Sequence, residues 1–139
     1  MGYAYVVARQ LSWNATIDGA RGSGYLRPSV EGGTFGDRIA RLEPSLEPDI
    51  VIVQGSINDR LRVPNGYAEA VEDAWNALET LYPDAQIVIL GPAPQLLPVE
   101  SGTAYIDEQL AAMATERQWA YISPVQDAWI TPENYLDVI

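Results

Sequence analysis

Two short stretches carry residue types that could hold a reacting oxygen. Gly55-Ser56-Ile57-Asn58-Asp59 follows the apolar run Ile50-Val51-Ile52-Val53 after a single Gln54, and Gly19-Ala20-Arg21-Gly22-Ser23-Gly24 forms a glycine-rich turn. A glycine lets backbone approach a ligand closely and leaves its N–H uncovered. A nearby Asn side chain adds a neutral donor. Donors of this kind, aimed at one point, stabilise negative charge as it develops on a carbonyl oxygen. The plainer alternative is that Asn58 and Asp59 cap the segment that follows, as both residue types do in turns.

The composition removes most other chemistries. The 139 residues contain no His, no Cys and no Lys; all eight basic residues are Arg. Without His the usual general base and the commonest transition-metal ligand are absent. Without Cys there is no thiolate nucleophile, disulfide or Cys-ligated zinc. Without Lys neither a Ser-Lys dyad nor a P-loop can be built, and the 19–24 turn lacks the Gly-x-Gly-x-x-Gly spacing of a dinucleotide site. Ser23 and Ser56 lie in these loops, but a serine hydroxyl with no base is a weak nucleophile, so both read as loop hydroxyls. No metal and no organic cofactor is expected.

The net charge of −11 with scattered Arg argues against nucleic acid and against an anionic membrane surface. No apolar run approaches the roughly 20 residues of a membrane span. The start, Met1-Gly2-Tyr3-Ala4-Tyr5, has no basic region of the signal-peptide kind.

Helical and strand patterns alternate along the chain. A helix is expected over residues 3–11, with Val6, Val7 and Leu11 as its apolar set, and a short strand over Asn14 to Asp18. Phe35, Ile39, Leu42 and Leu46 recur at spacings of three and four, predicting a helix broken near Pro44. Residues 49–54 predict a strand built on the continuous β-branched run Ile50-Val51-Ile52-Val53, as in a strand covered on both faces of a parallel sheet. A helix over Tyr67–Leu81 presents Val71, Ala74, Trp75, Leu78 and Leu81 on one face, and Gln86–Leu90 reads as a second buried strand. Ala104 to Arg117 predicts another helix and Trp119 to Ile122 a last strand; nothing regular is expected from Thr131 onward. The alternation predicts one α/β domain with a parallel sheet, its ligand loops at the carboxyl ends of the strands.

In this order the motifs resemble the SGNH (GDSL-type) hydrolases. Residues 13–25 resemble the family's second block, a strand ending in a glycine-rich turn. Val51 to Asp59 resembles its third block, a strand running into Gly-x-x-Asn-Asp, and Ile87-Val88-Ile89-Leu90-Gly91-Pro92 resembles the strand and Gly-Pro turn that follow. The resemblance implies a three-layer, flavodoxin-like sandwich and an esterase or lipase that hydrolyses small-molecule acyl esters. It implies Asn58 as the oxyanion-hole Asn and Gly22 as the oxyanion-hole glycine, with Gly19 as the alternative; Asp59 receives no chemical role.

Two family blocks have no counterpart: the Gly-Asp-Ser that supplies the nucleophile and the Asp-x-x-His that supplies the base. The expectation is therefore a partial SGNH domain over 1–139, truncated at both ends, without its first strand and last helix and inactive by itself. If the sheet follows the order 2-1-3-4-5, the missing strand leaves ladder edges open, and the chain folds poorly or exposes apolar surface. The alternative is a non-catalytic module that binds carbohydrate or acyl groups in the same cleft, with Tyr25, Trp75 and Trp119 as stacking surface. Loops 26–34 and 92–102 are the expected specificity loops.

Overall fold

Local sequence explains most element boundaries. The computed structural model describes residues 2–135. Helix α1 spans Tyr3–Gln10 and α2 spans Phe35–Ile39. Thr34 and Asp37 cap α2 reciprocally, each side chain accepting a hydrogen bond from the other's backbone N–H. Proline halts the second periodic stretch, leaving a single 3₁₀ turn at Pro44–Leu46. Strand β1 follows at Ile50–Gln54, then a 3₁₀ turn at Ile57–Asp59 and the long helix α3, Tyr67–Leu81. Strand β2 (Gln86–Leu90), helix α4 (Ser101–Glu116) and strand β3 (Ala120–Ile122) complete the order.

The three strands are parallel and neighbour one another in chain order, β1-β2-β3. Ile52 pairs with Val88 and Val53 with Ile89; across the next ladder Ile89 pairs with Tyr121. The protein is thus an α/β domain with a three-stranded parallel sheet, as the alternation predicts. One face, with Val51, Val53, Ile87, Ile89 and Tyr121, packs into a single core with Val71, Trp75 and Leu78 of α3 and Ile106 and Leu110 of α4. Trp75 is fully buried; its indole N–H donates to the Tyr25 hydroxyl at 2.7 Å and its ring packs 5.2 Å from that of Trp119. Arg117 lies over both indoles.

The opposite face differs from the sequence expectation. Ile50 and Ile52 of β1 are 40% and 50% exposed, so the strand read as covered on both faces is covered on one. Among the described residues no strand pairs with its outer edge. Helix α1 lies near that edge, where the Tyr3 hydroxyl donates to the Gln54 side chain, but Tyr3, Tyr5, Val6, Val7 and Leu11 remain exposed. A third layer is not supplied by the described residues.

The expected strand at 14–18 is absent: residues 13–20 form no ladder and no regular element, and 13–19 are exposed. The physical reason is that a strand exists only by pairing, and no neighbouring chain offers its N–H and C=O groups to this segment. The last helix and last strand form within a few residues of expectation, and 131–135 contain only a turn.

Helix α4 begins hard against the loop after β1. A Cβ on Gly102 would overlap the Arg60 backbone carbonyl, which cannot swing aside as a side-chain tip can. Gly102→Ala therefore sets a helix-propensity gain of about 1 kcal/mol against overpacking of about 1–3 kcal/mol or more. Net destabilisation is expected, seen as a lower urea midpoint at unchanged m-value; a raised midpoint would show that α4 is free to move.

Candidate functional site

The site is assembled by the turn that ends β1. Gly55 has φ of +143°, a region open to glycine and strained for other residues, and a Cβ there would run into the Phe35 ring. The chain then enters the 3₁₀ turn Ile57–Asp59, capped by Arg60, and the consecutive side chains of Asn58, Asp59 and Arg60 reach three different partners.

Asn58, half-buried, donates from Nδ2 to the Ser23 carbonyl at 2.8 Å. Asp59, fully buried, accepts from the backbone N–H groups of Tyr25 (2.7 Å), Leu26 (3.2 Å) and Arg27 (2.9 Å). Arg60 donates from Nε to Glu100 at 2.9 Å, at the start of α4. The β1 loop thereby holds the glycine-rich turn on one side and α4 on the other.

The structure places the sequence-predicted residues as follows. Gly22 has φ of +78° and open space on its Cβ side, and it immediately precedes the Ser23 carbonyl that Asn58 holds. Asn58 and the Gly22 turn are thus brought together. Gly19 is in open space, and no hydrogen bond links it to the β1 loop; the nearest tie is from Asp18 to Arg38 (3.0 Å) on α2. Gly22 is the better placed of the two glycines.

Neither serine hydroxyl is paired with a base. The Ser23 hydroxyl donates to the Gly33 carbonyl at 2.9 Å, and the buried Ser56 hydroxyl shares a 2.7 Å hydrogen bond with that of Tyr67. Two buried phenols also lie near the site. Burial pushes the Tyr25 and Tyr67 phenols well above their ordinary pKa, so both stay protonated at neutral pH. The buried Asp107 carboxylate is occupied by the Tyr121 and Ser123 hydroxyls, at 2.6 and 2.7 Å. No group of three or more metal-ligating side chains occurs among the described residues.

The aromatic stacking surface expected of a binding module is not present. Tyr25 and Trp75 are buried in the core, and Trp119 packs against Trp75. Their spacing served packing rather than ligand contact.

Asp59 is the functional candidate that sequence reasoning missed. Its partners are backbone amides, which any residue supplies, so they leave almost no trace in the sequence. Gly24 is the one hint: a Cβ there would overlap the Asp59 carboxylate.

No family model and no curated protein matches the chain. A crystal structure superposes on it with a TM-score of 0.63 at 17% identity, covering 80% of this chain and 60% of the other. That likeness supports the α/β fold. The chain spans about three-fifths of that neighbour's length.

Proposed function

We propose that the 19–27 turn and the loop after β1 form the carbonyl-oxygen-binding half of an ester-hydrolase site of the SGNH type. The observation that carries it is the Asn58–Ser23 hydrogen bond, which sets the Asn58 carboxamide beside the Gly22 turn. An Asn side chain has two N–H donors, and this bond uses one. The second, with the N–H of Gly22, can then meet an oxygen that becomes negative as the acyl carbon turns tetrahedral.

The serine nucleophile and the histidine base come, in this proposal, from polypeptide other than these 139 residues. The serine oxygen attacks the ester carbonyl while the base takes its proton, and that proton leaves with the alcohol; water, deprotonated by the same base, then attacks the acyl-serine, releasing the acid and returning the proton to the serine oxygen. Asn58 and Gly22 lower the barrier by binding the oxyanion, and no metal or organic cofactor takes part. The substrate class is a small-molecule acyl ester.

The test is hydrolysis of p-nitrophenyl acetate and longer p-nitrophenyl esters. The complete product of the open reading frame should turn these over, and the 139 residues alone should not exceed background. Turnover by the 139 residues alone would place nucleophile and base inside them and overturn the assignment. Inert behaviour of the complete product toward every ester would equally reject it.

A further inference from the structure

We infer that Asp59 is the positioning residue of this site, a buried carboxylate that sets Gly22 in register with Asn58. The inference rests on the oxyanion-site assignment for its purpose, and on geometry for its content. Three consecutive backbone N–H groups, of Tyr25, Leu26 and Arg27, converge on its two oxygens. The three ion pairs among the described residues leave it out, so these amides, rather than a cation, are what hold the carboxylate. Hydrogen bonds to an ionised acceptor are about twice as strong as neutral ones, so the turn is held more firmly here than at its other contacts.

The consequence follows from adjacency. Asn58 grips the turn at Ser23 and Asp59 grips it at residues 25–27, so neighbouring residues of one 3₁₀ turn hold both sides of Gly24. Further bonds fix the segment from outside. The Gly24 carbonyl accepts from the Phe35 N–H at 2.9 Å and the Gly24 N–H donates to the Arg27 carbonyl at 2.8 Å. Gly24 itself must lack a side chain for the carboxylate to reach the amides. Without the Asp59 anchor, residues 25–27 lose all three of their amide contacts to the β1 loop, and the bonds left at Ser23 and Gly24 hold the turn less tightly against Asn58, letting the Gly22 N–H drift out of line.

Two variants and one measurement on the unaltered protein test this by NMR. In the 139-residue chain, scalar coupling across the hydrogen bonds should be detectable between the Tyr25 and Arg27 amide nitrogens and the Asp59 carboxylate carbon. Asp59→Asn should speed amide exchange at 25 and 27 on the order of 10- to 100-fold, and shift the Gly22 N–H and Asn58 carboxamide signals. Gly24→Ala, which displaces the carboxylate from the other side, should produce the same two shifts.

A purely structural Asp59 would instead loosen the α3 and α4 amides as much as the turn, and leave the Gly22 and Asn58 signals of the folded population unmoved. That result overturns the inference. So does missing coupling in the unaltered protein, which decides the matter even if both variants unfold. None of these readouts involves an ester, so hydrolysis can fail while the clamp stands, and the reverse.

Discussion

On the proposed esterase reading, Asn58→Ala in the complete product of the open reading frame should lower kcat by on the order of 10²–10³ and leave KM nearly unchanged. The split follows from timing. A ground-state ester carbonyl is a modest acceptor, whereas the tetrahedral oxyanion is a strong one, so a donor placed for the second is missed chiefly in the transition state. Asn58 also bonds the Ser23 carbonyl, so some stability should go with it, about 1 kcal/mol. That loss is too small to unfold a domain of ordinary stability and cannot account for a hundredfold drop. Asn58→Asp separates the two effects further: a carboxylate keeps the size but donates nothing and repels both the Ser23 carbonyl and the oxyanion. It should be at least as damaging as alanine. Steady-state kinetics on a p-nitrophenyl ester decides, and an unchanged kcat for Asn58→Ala would remove this residue from the chemistry.

The largest stability effect should come from Trp75→Ala, about 3–5 kcal/mol. The indole is fully buried between α3 and the sheet, so truncation removes its transfer free energy and leaves a cavity that Trp119 and Arg117 can only partly fill. It also takes away the donor to the Tyr25 hydroxyl, which then lies buried with one partner fewer. Equilibrium urea denaturation followed by far-UV circular dichroism gives the value. Because Tyr25 also donates its backbone N–H to Asp59, the 22–27 turn should loosen in the same variant. A loss below about 1 kcal/mol would mean the core readily closes over the gap.

How legible all this was in the sequence depended on whether the needed partner left a signature. Helix α3 and strand β2 fall where the periodicity of 67–81 and the run of 86–90 put them, because each pattern reports its own burial against a core that is present. Residues 14–18 look like a strand by composition yet make no ladder, since pairing depends on a neighbour that these residues cannot encode. The β-branched run of β1 has the same origin: its composition suits cover on both faces, and the described residues supply it on one. At the site, the nearness of Asn58 to the Gly22 turn was expected from the resemblance of the two stretches to family blocks, while the strand that was to deliver the Gly22 turn does not form. The three-amide cradle of Asp59 was not expected, because every residue except proline carries the same backbone donor.

The outer edge of β1, which no strand pairs among the described residues, and the net charge of −11 act over different distances, and their balance bears on handling. Repulsion between copies reaches about 30 Å at 0.01 M salt and about 8 Å at 0.15 M, whereas an unpaired strand attracts only on near-contact. Dilute buffer therefore keeps molecules dispersed, and ordinary physiological salt brings them close enough for edges to meet. Adding salt, the customary remedy for a sticky acidic protein, would in this case promote its precipitation.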